Sequence, residues 1–410
     1  MTLKYYLCLL FLPVLAAAQP LPALIDEALR NNREILAAQK KYEAARQRPA
    51  QASALPDPTL SLGYSSSGAP YPVDGIGSVV TANAGVMISQ EIPFPGKQKL
   101  RGEIAVKEAG AEFQQYLAVR LSVVSRLKQT YHELHHSIYA IAFTRQNQEL
   151  LESILRISEA RYAAGRAAQQ DIFKAQTQFA IFEAQLLRYQ QEQTSKEIEI
   201  DALLNRPPGK PIDVPADMAP GVMPAPLDEL LAHARAAPEL AGSQQSIQRA
   251  ELAADLARRD YYPDYTLSGG YFNQGAMAPM WQFRVDFKLP AYFWRSQRSA
   301  VNEREFTAAE ARHDYEAASV SVEARIREQY SIATTARRLV DLYDKSVLPT
   351  ARLALESSLA GYETGAVDFV TVFSNFMSVV DNELQYHEET MRFDVALARL
   401  EELAGMETNP

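Results

Sequence analysis

Residues 281–289 alternate strictly between apolar and polar side chains and read Trp281-Gln282-Phe283-Arg284-Val285-Asp286-Phe287-Lys288-Leu289. A period of two puts the apolar side chains on one face of an extended strand and the polar side chains on the other. A tilted transmembrane β-strand needs about 9–11 residues, so the stretch is long enough. It predicts a strand with one face in lipid and the other lining a barrel lumen. The predicted lumen residues are Gln282, Arg284, Asp286 and Lys288.

Weaker alternation predicts three more strands, at about residues 58–68, 79–92 and 264–273, beside the strand at 280–289. Four strands cannot enclose a pore, and open edges in lipid would leave backbone groups without partners. Two copies would give eight strands with a filled interior, whereas three would give twelve and a lumen. The predicted assembly is therefore a homotrimer that closes a 12-stranded β-barrel. The alternative is a soluble antiparallel sheet with one wet face.

Most of the remaining chain predicts long helices. Stretches at about 98–161 and 296–361 contain one proline, Pro349, and apolar residues recur on a seven-residue period from Ile172 and from Val372, which favours coiled coils. Motifs recur at an offset of about 200 residues, which indicates an internal two-fold repeat. The predicted class is mainly α with a membrane β-barrel portion. The predicted divisions are repeats at 19–205 and 227–405, a proline-rich linker at 206–226 and a tail at 406–410.

The first residues predict export. Lys4, an apolar run and Ala16-Ala17-Ala18 make residues 1–18 a signal peptide. The only cysteine, Cys8, lies inside it, so we expect no disulfide, no cysteine metal site and no lipidated N-terminus in the mature protein. No later stretch predicts a transmembrane helix. The net charge of -9 argues against nucleic acid as a partner, and the sequence predicts no cofactor.

The whole mature chain resembles the TolC family of outer-membrane efflux proteins, through paired strands, very long helices and glycine-bounded helix turns. The most specific stretch is Gln90-Glu91-Ile92-Pro93-Phe94-Pro95-Gly96-Lys97-Gln98-Lys99-Leu100-Arg101. It is similar to the form found in the heavy-metal branch, the outer-membrane partners of cobalt-zinc-cadmium or copper-silver exporters. The resemblance implies a non-enzymatic trimeric duct in the outer membrane of a Gram-negative cell, continued by an α-helical barrel across the periplasm. It also implies a periplasmic adaptor, an inner-membrane proton-driven RND pump and outer-membrane lipid as partners.

In relatives, the turns between helices form the periplasmic tip, where the channel narrows and the adaptor docks. The residues that correspond to this entrance are Tyr162, Gly165, Asp171, Tyr362, Gly365 and Asp368. Symmetry would turn each of the two aspartates into a carboxylate ring that attracts cations. The alternative is that each caps a helix N-terminus. An arginine and two acids of the best-known members are replaced here by Val367, Thr371 and Ser374, so a gate built from them is absent or rebuilt.

A metal-binding motif needs a separate interpretation. His132-Glu133-Leu134-His135-His136 matches the H-E-x-x-H pattern of zinc proteases. A catalytic zinc also needs a third protein ligand, and the next acids, Glu149 and Glu152, follow on the same predicted helix. His132, His135 and His136 are therefore weak metal candidates, and a solvated or lumen-facing patch is the simpler interpretation.

Five cations follow the returning strands of both halves: Lys97, Lys99, Arg101, Arg295 and Arg298. They predict either contact with lipid headgroups or a solvated collar. The predicted function is the outer-membrane duct of a tripartite efflux system for heavy-metal cations. The alternatives are a drug or type I protein secretion duct, a secreted zinc metalloprotease and a structural periplasmic coiled-coil protein.

Overall fold

The computed structural model describes residues 21–67, 71, 74–209, 212–215 and 218–406. The predicted signal peptide lies outside this part of the chain, as do residues 407–410 of the predicted tail. The elements of the first half are α1 Leu21–Asn31, α2 Arg33–Ala45, α3 Arg48–Ser53, β1 Thr59–Ser65, β2 Asn83–Ile92, α4 Lys97–Ala163 and α5 Gln169–Leu203. Those of the second half are α6 Leu227–Ala234, α7 Pro238–Arg259, β3 Asp264–Asn273, β4 Met280–Lys288, α8 Ser296–Leu342, α9 Leu348–Thr364 and α10 Phe369–Ala404.

The chain divides into two compact units. The sheet unit contains residues 37–118 and 235–322, and the helical unit contains the described residues of 1–36, 119–234 and 323–410. The mainly helical class with four strands is confirmed. Among the described residues, no helix combines the length and apolar character needed to cross a membrane.

Two strands differ from the sequence prediction. Strand β1 ends at Ser65, and β2 begins at Asn83 rather than near residue 79. The apolar alternation begins at Val80, but Val79 and Val80 lie in a turn that Ala82 closes by donating its N–H to the Val79 carbonyl at 2.9 Å. A backbone folded back in this way cannot pair with a neighbouring strand, so alternation alone placed this boundary too early.

The helix predicted at 296–361 is interrupted. Residues Tyr343–Val347 form a π-helical turn between α8 and α9, in which Leu348 donates its N–H to the carbonyl of Tyr343. Pro349 follows at the start of α9. Proline has no N–H for the α-helical bond, and its ring crowds the preceding turn, so the wider turn lets the chain continue in helical form.

In the sheet unit, the four strands form one antiparallel sheet in the order β1-β2-β3-β4. The register pairs Leu62 with Val86, Val86 with Tyr271, and Tyr271 with Trp281. Directly paired residues point to the same face, so the apolar residues of all four strands share one side of the sheet. Among the described residues, β1 and β4 have no strand beyond them, and the sheet has two open edges.

The 90–101 motif forms the connection from β2 to α4. The Asp264 carboxylate accepts the Phe94 N–H at 2.7 Å and the Lys97 ammonium at 2.9 Å. The rings of Phe94 and Tyr262 stack with centroids 4.5 Å apart. Gly96 has a φ of 93°, a backbone conformation that favours glycine. The motif therefore holds this part of the first half of the chain in direct contact with residues 262–264 of the second half.

The position of Lys97 corrects the expectation that it contacts lipid headgroups or belongs to a solvated collar. Its side chain is only 3% exposed and pairs with Asp264 and Asp260. A buried ammonium needs acceptors inside the protein. Lys97 has three, namely the two carboxylates and the Tyr262 carbonyl, to which it donates at 3.2 Å. Lys97 is thus an internal structural cation.

Candidate functional site

The first of the two turns between long helices joins α4 to α5 in the helical unit. Gly165 takes a φ of 69°, and the Arg166 N–H bonds back to the Arg161 carbonyl at 2.8 Å. This bond satisfies a carbonyl at the end of α4, as a left-handed glycine at a helix C-terminus commonly allows. Tyr162 is exposed. Asp171 lies in the first turn of α5 and is buried, while Ala168 occupies the N-cap position. The N-cap interpretation of Asp171 is therefore wrong.

The second turn joins α9 to α10 and has firmer caps. Gly365 has a φ of 83° at the C-cap of α9. Asp368 is the N-cap of α10, and its carboxylate accepts the Thr371 N–H at 2.8 Å. The hydrogen bonds with Thr371 lower the pKa of Asp368, so its exposed carboxylate is ionised at neutral pH. Asp368 thus combines a structural role with an accessible negative charge.

Arg161 joins the ends of α4 and α9. Its guanidinium carbon lies 4.4 Å from the centroid of the Tyr362 ring, and one of its nitrogens donates to the Tyr362 carbonyl. The Tyr362 hydroxyl lies 3.2 Å from the Ser158 hydroxyl. The two tyrosines that look equivalent in sequence therefore differ, because Tyr362 is buried and Tyr162 is exposed. The sequence analysis did not identify Arg161 or Ser158. The one sequence signal for this contact is that Arg161 lies four residues before Gly165.

Three residues at this second turn depart from the family pattern: Val367, Thr371 and Ser374. Val367 packs against Gly361, where an added Cβ would lie 2.5 Å from a Val367 methyl carbon. Thr371 donates its backbone N–H to Asp368, and the side chains of Thr371 and Ser374 are exposed on α10. None of the three carries a charge, and Asp368 is an exposed carboxylate at this turn.

The sheet presents a broad apolar surface. The large side chains exposed on its apolar face are Leu60, Leu62, Val86, Ile88, Leu267, Tyr271, Trp281, Phe283, Val285 and Phe287. Phe283 is 83% exposed. Contact between an aromatic ring and water is energetically unfavourable compared with burial of the ring. A continuous exposed patch of this kind marks a surface that lipid or another protein covers.

The opposite face of β4 is polar. Arg284, Asp286 and Lys288 are exposed and Gln282 is half-buried, and the Arg284 guanidinium pairs with the Asp286 carboxylate at 2.8 Å. Beside them, the hydroxyls of Ser89 and Ser268 lie 3.0 Å apart on the same face. The two faces of the sheet therefore differ in chemistry as the alternation predicted.

The histidine cluster lies between helices of the helical unit. His132 is mostly buried, with Nδ1 3.4 Å from the Asp394 carboxylate, and the His387 ring stacks on Tyr139. Burial lowers the pKa of His132 and of His387 to about 4 and raises the pKa of Asp394 to about 6. Both histidines are therefore neutral at pH 7, and the interpretation of the cluster as a solvated patch is wrong for His132.

The zinc-protease interpretation fails on geometry. Glu133, which would activate water, pairs with the Lys196 ammonium at 2.6 Å. Within the part of the chain that the structure describes, no group of three histidine, cysteine, aspartate or glutamate side chains is arranged to hold a metal ion. In the described part of the chain, His132, His135 and His136 therefore do not belong to the three-ligand arrangement that a catalytic zinc needs.

We expect Glu133→Gln to leave export intact. The change removes a charge but keeps a side-chain carbonyl that can accept from Lys196, whereas a metalloprotease would lose its general base. Efflux by cells should be compared at equal protein levels for the parent, Glu133→Gln and Lys196→Gln. Loss of efflux in Glu133→Gln, with efflux retained in Lys196→Gln, would contradict the structural role.

The structure combines a four-stranded sheet that has one apolar face with helices of 67, 47 and 36 residues. The chain belongs to the outer membrane efflux protein family, which it matches over residues 24–206 and 230–406. It is 22% identical over 412 residues to the outer membrane protein TolC of Vibrio cholerae, covering 95% of this chain and 91% of the relative.

Two further comparisons agree with this family. The chain is 22% identical over 371 residues to the probable outer membrane lipoprotein SilC of Salmonella typhimurium, covering 85% of this chain and 77% of SilC. Its fold matches the crystal structure of CusC with a TM-score of 0.81 at 18% identity, covering 95% of this chain and 93% of CusC. The protein is thus a non-enzymatic channel of the outer membrane that extends into the periplasm as part of a tripartite efflux system.

Proposed function

We propose that three copies of this chain form one duct that conducts heavy-metal cations out of the cell. The observation that carries the proposal is the four-stranded sheet, which has an apolar face, a polar face and two open edges among the described residues. Backbone groups at an open edge find no partner in lipid, so the edges need strands from other copies. Three sheets supply twelve strands and leave a lumen lined by the polar face.

Heavy-metal cargo is supported by the 90–101 motif, which resembles the heavy-metal branch of the family. Phe94 and Lys97 of this motif both donate to Asp264 at the connection between β2 and α4. The adaptor and the RND pump would supply most of the substrate choice, and the duct would contribute a preference for cations.

We infer that Asp368 provides this cation preference at the periplasmic entrance. Three exposed, ionised carboxylates around an axis concentrate negative potential. Asp368→Asn should reduce cation selectivity most at low salt, where the screening length is about 30 Å at 0.01 M against about 10 Å at 0.1 M. Asparagine caps a helix nearly as well as aspartate, so the fold should be retained.

The measurement is the reversal potential of single trimers in planar bilayers under a salt gradient. Asp171→Asn is the matched control, because it removes the same charge from a side chain that is only 8% exposed. A shift for Asp368→Asn and little change for Asp171→Asn supports the ring. No shift for Asp368→Asn at either salt concentration leaves this residue as a cap alone.

The cargo is tested in cells that lack their own outer-membrane efflux duct. The chain is expressed with a heavy-metal adaptor and RND pump, and growth is measured against silver, copper, cobalt, zinc and cadmium ions and against a panel of drugs. Metal resistance that depends on the chain supports the proposal. Drug resistance without metal resistance, tested with a drug pump and its adaptor, would favour the drug duct.

A further inference from the structure

Three consecutive aromatic side chains are exposed in residues 289–298, a segment that ends in the first turn of α8 and is called here the β4–α8 turn. Tyr292 is 72% exposed, Phe293 48% and Trp294 60%. The backbone is held by hydrogen bonds from the N–H groups of Arg295 and Ser296 to the Tyr292 carbonyl, both at 3.0 Å. Aromatic rings normally stabilise a protein by burial, so rings held outward by an ordered turn indicate a covering surface outside the chain.

The turn continues the apolar face of the sheet. Leu289, 71% exposed, follows Val285 and Phe287 in the alternating series, and the aromatic residues begin three residues later, at Tyr292. They lie at the end of β4 from which α8 departs, and the helices of this protein extend into the periplasm. Tyrosine and tryptophan concentrate where the apolar band of a membrane protein meets the headgroups. The turn therefore lies at the level of the periplasmic leaflet of the outer membrane.

Two cations lie in the same turn. Arg295 and Arg298 are exposed, and among the described residues neither guanidinium has an ion pair or a side-chain hydrogen bond. The other cations of the predicted collar are engaged, since Lys97 is buried and Lys99 lies 3.6 Å from Glu103. Arg101 donates to Gln98 at 2.8 Å. A free guanidinium has the donor geometry that phosphate groups accept.

We propose that the β4–α8 turn binds the headgroups of anionic phospholipids in the periplasmic leaflet. Tyr292 and Trp294 lie at the boundary of the apolar region, and Arg295 and Arg298 contact the lipid phosphates. The inference rests on the proposed lipid-facing sheet and adds a headgroup site to it. The first-half connection cannot serve in the same way, because its Phe94 stacks on Tyr262 and its Lys97 is buried.

Tryptophan fluorescence tests the site. The chain has two tryptophans, so Trp281→Phe leaves Trp294 as the only reporter. The full chain is reconstituted in phosphatidylcholine vesicles that contain brominated phosphatidylglycerol or, at the same mole fraction, brominated phosphatidylcholine. Because each arginine near a membrane surface attracts anionic lipid, the brominated phosphatidylglycerol should quench Trp294 at least about twofold more strongly. Added salt should reduce this preference.

A matched pair of double variants isolates the two arginines in this background. Arg295→Gln with Arg298→Gln should remove the preference for phosphatidylglycerol. Arg304→Gln with Arg338→Gln removes the same charge from exposed arginines farther along α8 and should keep the preference. Arg304 lies about 9 Å farther along the helix than Arg298, and therefore farther from the membrane boundary.

Three outcomes separate this site from the lipid-facing sheet. Equal quenching of Trp294 by the two brominated lipids would overturn the headgroup site. Absent quenching of Trp294, with Trp281 quenched in a Trp294→Phe variant, would place the turn outside the bilayer and also overturn it. Absent quenching of both tryptophans in the reconstituted protein would instead reject the lipid-facing sheet, and with it the proposed barrel.

Discussion

Replacing Lys97 with methionine is expected to destabilise the protein by about 3 kcal/mol or more, because it leaves a largely buried carboxylate without its countercharge. The Lys97 side chain is 3% exposed, and its ammonium lies 2.9 Å from Asp264, which is 18% exposed. Methionine has a similar length and apolar stem, so a cavity would contribute little. Urea unfolding in detergent micelles, followed by tryptophan fluorescence, measures the difference in the free energy of unfolding.

Lys99→Met is the matched control. Its side chain is 79% exposed and, among the described residues, forms an ion pair with Glu103 alone, so its loss should cost less than about 1 kcal/mol. Adding Asp264→Asn to Lys97→Met should recover part of the loss, because the amide removes the buried charge and its oxygen can still accept the Phe94 N–H. Equal losses for Lys97→Met and Lys99→Met would contradict the internal role of Lys97.

Charging the apolar face of β4, which we propose contacts lipid, should have a comparable effect on assembly. Val285→Arg puts a guanidinium on the face shared with Leu267 and Phe287, and such a change near the bilayer midplane costs about 2–4 kcal/mol. The adjacent Arg284 points to the opposite, polar face. The measured quantity is the yield of the proposed trimer in outer-membrane fractions.

Arg284→Gln is the control for Val285→Arg. It gives up an exposed pair with Asp286 and should leave the trimer yield nearly unchanged. A reduced yield for Val285→Arg alone supports the assignment of faces. Equal yields for the two variants would mean that the apolar face does not contact lipid.

The sequence by itself determined the classes of structure. The alternation at 281–289 reflects a local rule, because neighbouring side chains of any strand point to opposite faces. Long stretches without proline likewise determined α4, which runs unbroken over 67 residues. These features depend on residues close in the chain, so periodicity and the propensity of single residues were sufficient to find them.

Tertiary structure decided the roles of individual charges and aromatic rings. Lys97 and Lys99 look alike in sequence, and only the approach of Asp264, from the other half of the chain, makes Lys97 internal. The contact of Arg161 with Tyr362 likewise joins residues about 200 positions apart, which no local pattern encodes. Packing also decided that Asp368 caps a helix while Asp171 is buried, because the burial of a carboxylate depends on which helices surround it.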